Sequence, residues 1–174
     1  MPRFRDIPKF TPDGEYAVDA EWGYLIEKWL PDQLAQGLNL DPDFQRGHVW
    51  TETQQIRYIE FALRGGKSGK SIYFNHPDWM GGFEGEMVIV DGKQRLEAVR
   101  RFMQNEIKAF GYYLKEYTDN LRLTSARLRL HVNTLQTRAE VLQWYIDLND
   151  GGVIHSDEEI QRVRELLAKE PGEF

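Results

Sequence analysis

The chain has 174 residues and no cysteine, which excludes disulfides, thiolate nucleophiles and Cys-based zinc sites. Its net charge of −6 argues against indiscriminate coating of nucleic acid, and five Trp, eight Tyr and nine Phe supply bulk that a disordered chain lacks. One domain over residues 1–174 is expected, since no repeat, low-complexity stretch or Pro/Ser-rich linker divides it.

In chain order, residues 1–20 carry Pro and Gly without a period and read as an irregular arm over the surface. The basic start lacks the apolar run of a signal peptide. From Glu21 to Leu30, "EWGYLIEKWL" sets Trp22, Leu25, Ile26 and Trp29 on one helical stripe, and Pro31 is expected to end it. "LNLDPDFQRGHVW" reads as a short strand and then a loop. Thr51 with Gln54 forms a capping box for a helix carrying Ile56, Ile59 and Leu63 and stopping at Gly65.

"SIYFN" (71–75) is a predicted strand, followed by turn-rich residues 76–85. "EMVIV" (86–90) does not alternate, as expected of a strand buried on both faces, and is too short to span a bilayer. A helix bearing Leu96, Val99, Phe102 and Met103 follows Asp91-Gly92. Residues 107–114 are expected to be extended, and "RLRLHVN" alternates as a half-buried strand. Capping boxes Thr137/Glu140 and Ser156/Glu159 open helices over 138–148 and 157–169. The sum is an α+β domain with a small mixed sheet and four or five helices.

Charge is unevenly spread. Residues 1–90 hold 9 Lys/Arg against 14 Asp/Glu, residues 91–138 hold 10 against 5, and residues 139–174 hold 3 against 9. The basic middle suits a compact anion such as a triphosphate, with ordinary surface scatter as the alternative.

"GGKSGKS" (65–71) resembles a phosphate-binding loop, but the spacing demands a glycine at position 64, where Arg64 stands. The loop also runs from helix into strand, the reverse of the order that aims a helix N-terminus at phosphate. It reads as a turn with glycine capping, leaving Lys67 or Lys70 at most a supporting contact to a polyanion.

The strand-to-helix order occurs instead at "DGKQR" (91–95). There Gly92 permits a sharp turn, and the first-turn N–H groups, Lys93 and Arg95 are suited to phosphate. Asp91 at the strand end suits a divalent metal or a water. The alternative is an Asp-Gly cap with solvated charges. In "DPDFQRGHVW", Phe44 and Trp50 look like anchors between which Gln45 and Arg46 face a ligand or merely satisfy local carbonyls. His48, His76, His131 and His155 show no metal-ligand spacing.

Pro-x-Phe-Gln-Arg-x-x-x-Trp at 42–50, Asp-Gly-Lys-Gln-Arg at 91–95 and Asn-x-Gly-Gly at 149–152 occur in that order. Together they resemble the ParB-like domain at the N-terminus of GmrSD-type restriction enzymes, a branch of the ParB/sulfiredoxin superfamily, over roughly residues 35–165. The family signature is usually Asp-Gly-Gln-Gln-Arg, so Lys93 departs from it. The resemblance implies nucleotide binding through Gly92, Lys93, Arg95, Gln45 and Asn149. It implies hydrolysis with Asp91 or Gln94 positioning water or metal (Mg²⁺, on Asp91) and Arg46 neutralising charge. The reactive Cys of sulfiredoxin relatives is absent, which excludes their reduction chemistry. Restriction relatives carry a further nuclease region, so this chain looks like the nucleotide-switch domain alone.

Three functions follow as expectations: a nucleoside triphosphatase tied to DNA restriction or phage biology, a metal-dependent DNA nuclease or nickase, or a non-catalytic module binding DNA or a partner. A cytoplasmic protein without membrane contact is expected in each case.

Overall fold

A computed structural model describes residues 2–45, 49–124, 126–150 and 157–171. Its four strands form one mixed sheet in the order β1-β4-β2-β3: β1 is Tyr16–Glu21, β2 Ser71–Asn75, β3 Val88–Asp91 and β4 Arg127–Asn133. β4 runs antiparallel to β1 and parallel to β2, and β2 antiparallel to β3. Helices flank the sheet, so the expected α+β architecture is the observed one.

Alternation along β4 divides the molecule. Leu128, Leu130 and Val132 are buried, while Arg127 and Arg129 are exposed on the opposite face. The aliphatics join Ile72 and Phe74 of β2 and Ile89 of β3 in the main core. That core is roofed by Trp22, Leu25, Ile26 and Leu30 from the first helical run, by Ile59 and Ala62 of α3 (Glu52–Leu63), and by Leu96, Val99 and Phe102 of α4 (Lys93–Met103).

On the other face Val90 packs with Val141, Leu142, Trp144, Tyr145 and Ile146 of α5 (Arg138–Asn149) and Val163 of α6 (Asp157–Leu167). Ile89 and Val90 thus bury opposite sides of one strand, which is why that run does not alternate. α5 packs on β3 with Tyr73 of β2 partly buried against it. The outward residues of β4 and β1, among them Arg127, Arg129 and Asp19, stay exposed.

Both of the expected capping boxes that lie within the described residues form. Thr51 Oγ1 accepts from Gln54 N at 3.3 Å while Thr51 N donates to Gln54 Oε1 at 2.8 Å, and Thr137 and Glu140 make the same exchange. Ser156, with its proposed box, lies outside the described residues.

Three local expectations are corrected. Residues 1–20 are not wholly irregular, because Tyr16–Glu21 pairs with β4 along its whole length. Pairing with a strand more than a hundred residues away, not local preference, sets that conformation. Before the strand, the arm is fastened to α5: Asp147 Oδ2 accepts from Thr11 N and Thr11 Oγ1, both at 2.7 Å, and Trp144 Nε1 donates to Asp13.

Second, Pro31 does not end the first helix, which runs as α1 (Trp22–Tyr24), a π turn (Leu25–Trp29) and α2 (Leu30–Ala35). Leu30 N bonds Leu25 O, five residues back. Pro31 then stands in the first turn of α2, where a missing N–H and fixed φ cost little. Third, residues 107–114 are not extended. Ala109 and Tyr112 exchange backbone hydrogen bonds across Phe110 and Gly111, both with positive φ, so the chain reverses there.

Leu130 is 1% exposed in the central strand. Leu130→Ala is expected to cost about 2–5 kcal/mol through lost burial and a residual cavity. Urea denaturation reads this as a lower midpoint at unchanged slope.

Candidate functional site

β3 ends at Asp91, and the chain turns into α4 through Gly92 at φ 99°. A Cβ at Gly92 would lie 2.6 Å from Ile72 Cδ1 and 3.1 Å from Ile72 Cα, so both backbone conformation and space require glycine. The turn brings Arg95 back over Asp91. Arg95 Nη2 donates to Asp91 Oδ2 at 2.6 Å and Arg95 Nε to Ser71 O at 3.1 Å. The pair is mostly buried, with side chains 15% and 19% exposed. This fixes the guanidinium between the ends of β2 and β3.

The 65–70 loop, between α3 and β2, comes to the same place. Gly65 and Gly69 take φ 82° and 65°. Tyr58 Oη donates to Gly69 O at 2.8 Å, and Arg129 N donates to Lys70 O at 2.8 Å, so the loop is tied to α3 and to β4. Burial pushes the Tyr58 phenol up to about 12, opposed by the nearby Arg95 charge. The phenol is therefore a fixed donor across the physiological range.

Together these elements enclose a cavity of about 690 Å³. Its walls are Lys67, Lys70 and their loop, Ser71 and Tyr73 of β2, Asp91 and Arg95, Arg127 and Arg129 of β4, Asp19 of β1, and Leu148 and Asn149 at the end of α5. Five Lys or Arg residues and two Asp residues thus line it. Arg95 is paired with Asp91, Arg129 reaches Asp19 at 3.4 Å, and Arg127 reaches Glu21 at 3.6 Å. Among the described residues, no carboxylate lies within ion-pair distance of Lys67 or Lys70. Volume and polarity suit an anionic small molecule.

The residues singled out in the sequence divide into two sets. Asp91, Arg95 and Asn149 line the cavity; Asn149 Nδ2 also donates to Tyr145 O at 2.6 Å. Gln45, Lys93 and Gln94 are engaged elsewhere. Gln45 Nε2 donates to Ile89 O and Val90 O and so fastens the 43–45 turn to β3. Gln94 Oε1 accepts from Trp50 N at 3.0 Å, and Lys93 Nζ pairs with Asp41 at 2.6 Å. Gly92 shapes the turn. Arg46 lies outside the described residues, as do His48, Gly151, Gly152 and His155.

Sequence reasoning missed Arg127 and Arg129. Their signal was the strand alternation itself, which sends every residue between the aliphatics of β4 to the cavity face. Lys67 and Lys70, expected to be at most a supporting contact, also line the cavity, because their loop converges on the β3–α4 turn.

Among the described residues no three His, Asp or Glu side chains converge to hold a metal by themselves. The two cavity carboxylates, Asp19 on β1 and Asp91 on β3, stand on opposite edge strands, so either could contribute only a single protein ligand to a metal. No described helix is long and apolar enough to cross a membrane.

A family model described as the N-terminal domain of GmrSD restriction endonuclease matches residues 26–133. No curated protein and no solved structure matches the chain.

Behind the cavity wall, His131 stacks on Tyr73 with ring centroids 4.6 Å apart, and its Nε2 is buried without a hydrogen-bond partner. Burial holds the imidazole below its ordinary 6.5, with Arg129 acting in the same sense and Asp13 and Asp19 opposing. The fold favours neutral His131, so its contribution to stability is intact above about pH 6.5. It is lost as pH falls below that value, where the unfolded chain takes the proton first. Denaturation midpoints at pH 7.5 and 5.5 are expected to differ more for the wild type than for His131→Gln.

Proposed function

The chain belongs to the family of GmrSD restriction endonuclease N-terminal domains, and on that footing we propose that it is the nucleotide-handling domain of a DNA-restriction system. It binds a nucleoside triphosphate in the cavity on the open sheet face and hydrolyses it. The observation that supports this best is the excess of cations in a space of nucleotide size, with Asp91 and Arg95 of the family motif in its wall.

In this reading Arg95, held by Asp91 and Ser71 O, presents a fixed guanidinium to the phosphates, so little reorganisation is needed as charge develops. A water oxygen attacks the terminal phosphorus, and the bond to the bridging oxygen breaks with its electron pair leaving on the diphosphate. The water's proton passes to an oxygen of the terminal phosphate, while Asp91 stays ionised against Arg95. Asp91 is the group that would hold Mg²⁺ entering with the triphosphate, and the ion's chemistry there would be neutralisation of phosphate charge. Gln45 and Gln94 act by holding the 43–45 turn and residue 50 against the β3–α4 unit. Lys93 stands outside the cavity against Asp41. Arg46 is assigned its charge-neutralising role from the family resemblance alone. DNA is the second partner, and the cytoplasm the working compartment.

Phosphate release from each ribonucleoside triphosphate with Mg²⁺ tests this. Arg95→Ala is expected to lower the rate about 100-fold. Thermal melting of that variant and of Arg95→Lys separates lost chemistry from lost folding, because Arg95 also ties β2 to α4. Absence of both nucleotide binding and release by the wild type would overturn the reading. Plasmid nicking that needs Mg²⁺ or Mn²⁺, ignores triphosphate and vanishes in Asp91→Ala would replace it with the nuclease alternative.

A further inference from the structure

We infer that Lys67 and Lys70 of the 65–70 loop grip the terminal phosphates beside Arg95, a role that Lys93 of the Asp-Gly-Lys-Gln-Arg turn, paired with Asp41, does not take. The loop is thus a specificity element that distinguishes triphosphate from monophosphate. This inference rests on the nucleotide reading above and places the terminal phosphates at the loop end of the cavity.

Charge pairing is what points there. Of the five cations in the cavity wall, the three arginines already have carboxylate partners: Asp91 for Arg95, Asp19 for Arg129 and Glu21 for Arg127. Lys93, the remaining cation of the motif apart from Arg95, is spent on Asp41 outside the cavity. Lys67 and Lys70 alone in that wall lack such a partner among the described residues, and they lie three positions apart on one short loop. A polyanion gains most where positive charge is not already neutralised.

The loop is also prepared to hold its position. The Tyr58 hydroxyl and Arg129 N–H pin Gly69 O and Lys70 O. Ser68 and Ser71 add hydroxyls to the wall. Pinning lowers the ordering cost that a free lysine-rich loop would pay on binding.

The test measures Kd for a nucleoside triphosphate and for the matching monophosphate by calorimetry, using the whole chain. The variants are Lys67→Ala/Lys70→Ala, the charge-keeping Lys67→Arg/Lys70→Arg, and Lys108→Ala/Lys115→Ala, which removes the same charge away from the cavity. The first is expected to weaken triphosphate at least about tenfold and monophosphate less than about threefold. The arginine pair is expected to restore most of the loss, and the distant pair to change neither constant by more than about twofold. Melting temperatures confirm that all variants fold. Triphosphate bound equally by wild type and Lys67→Ala/Lys70→Ala would overturn the inference while leaving the nucleotide reading in place. Equal losses for triphosphate and monophosphate, or equal losses from the distant pair, would overturn it as well. A wild type that binds no triphosphate would remove the nucleotide reading itself.

Discussion

Side chains on a strand point alternately to its two sides, and β4 applies that rule at the middle of the sheet. It pairs with β1 on one edge and β2 on the other, so its register sets theirs. Leu128, Leu130 and Val132 go to the main core, and Arg127 and Arg129 must then go to the other face. α5 covers that face only over β3 and part of β2. A charged floor next to a short wall of helix is therefore a by-product of building the core, and the cavity is made where the covering stops. A register slip of one residue would bury the arginines and expose the aliphatics, so the core and the cavity floor stand or fall together.

Much of this was readable in the residues. The helix over 52–63 followed from Thr51, Gln54 and a spaced aliphatic stripe, and β4 followed from its alternation, because each signal is local and strong. β1 was not readable: Tyr16–Glu21 owes its strand conformation to partners on Arg127–Val132, and no short window contains both. The π turn before Pro31 and the reversal at Phe110 were missed for a related reason, since each is a backbone accommodation to packing. At the cavity, Asp91 and Arg95 came from the strand-to-helix order of Asp-Gly-Lys-Gln-Arg, and Asn149 from motif resemblance. Arg127 and Arg129 needed the fold, because nothing in "RLRLHVN" says what its polar side will face.

The two basic stretches that compete in the sequence prove complementary in space. Asp-Gly-Lys-Gln-Arg supplies a rigid corner: its glycine makes the turn, Gln94 holds residue 50, and Asp91 with Arg95 locks β2 to β3. Most of its polar capacity is thereby spent on structure. Gly-Gly-Lys-Ser-Gly-Lys lacks helix context but keeps its charges unspent. Sequence order ranks a motif by its neighbours in the chain, whereas binding depends on which charges remain unneutralised at one point in space.

The place of β4 has a further effect on how the chain is made. During synthesis residues 16–21 leave the ribosome first, yet their partner is completed only at Asn133, and β2 also waits for it. Until then β2 and β3 can form only a two-stranded ribbon, which is marginal by itself in water. The apolar stripe of the first helix must meanwhile stay out of aggregates without its sheet. The nascent chain thus carries these apolar segments without their sheet until residue 133 is made, and the core can close only when β4 takes its place between β1 and β2.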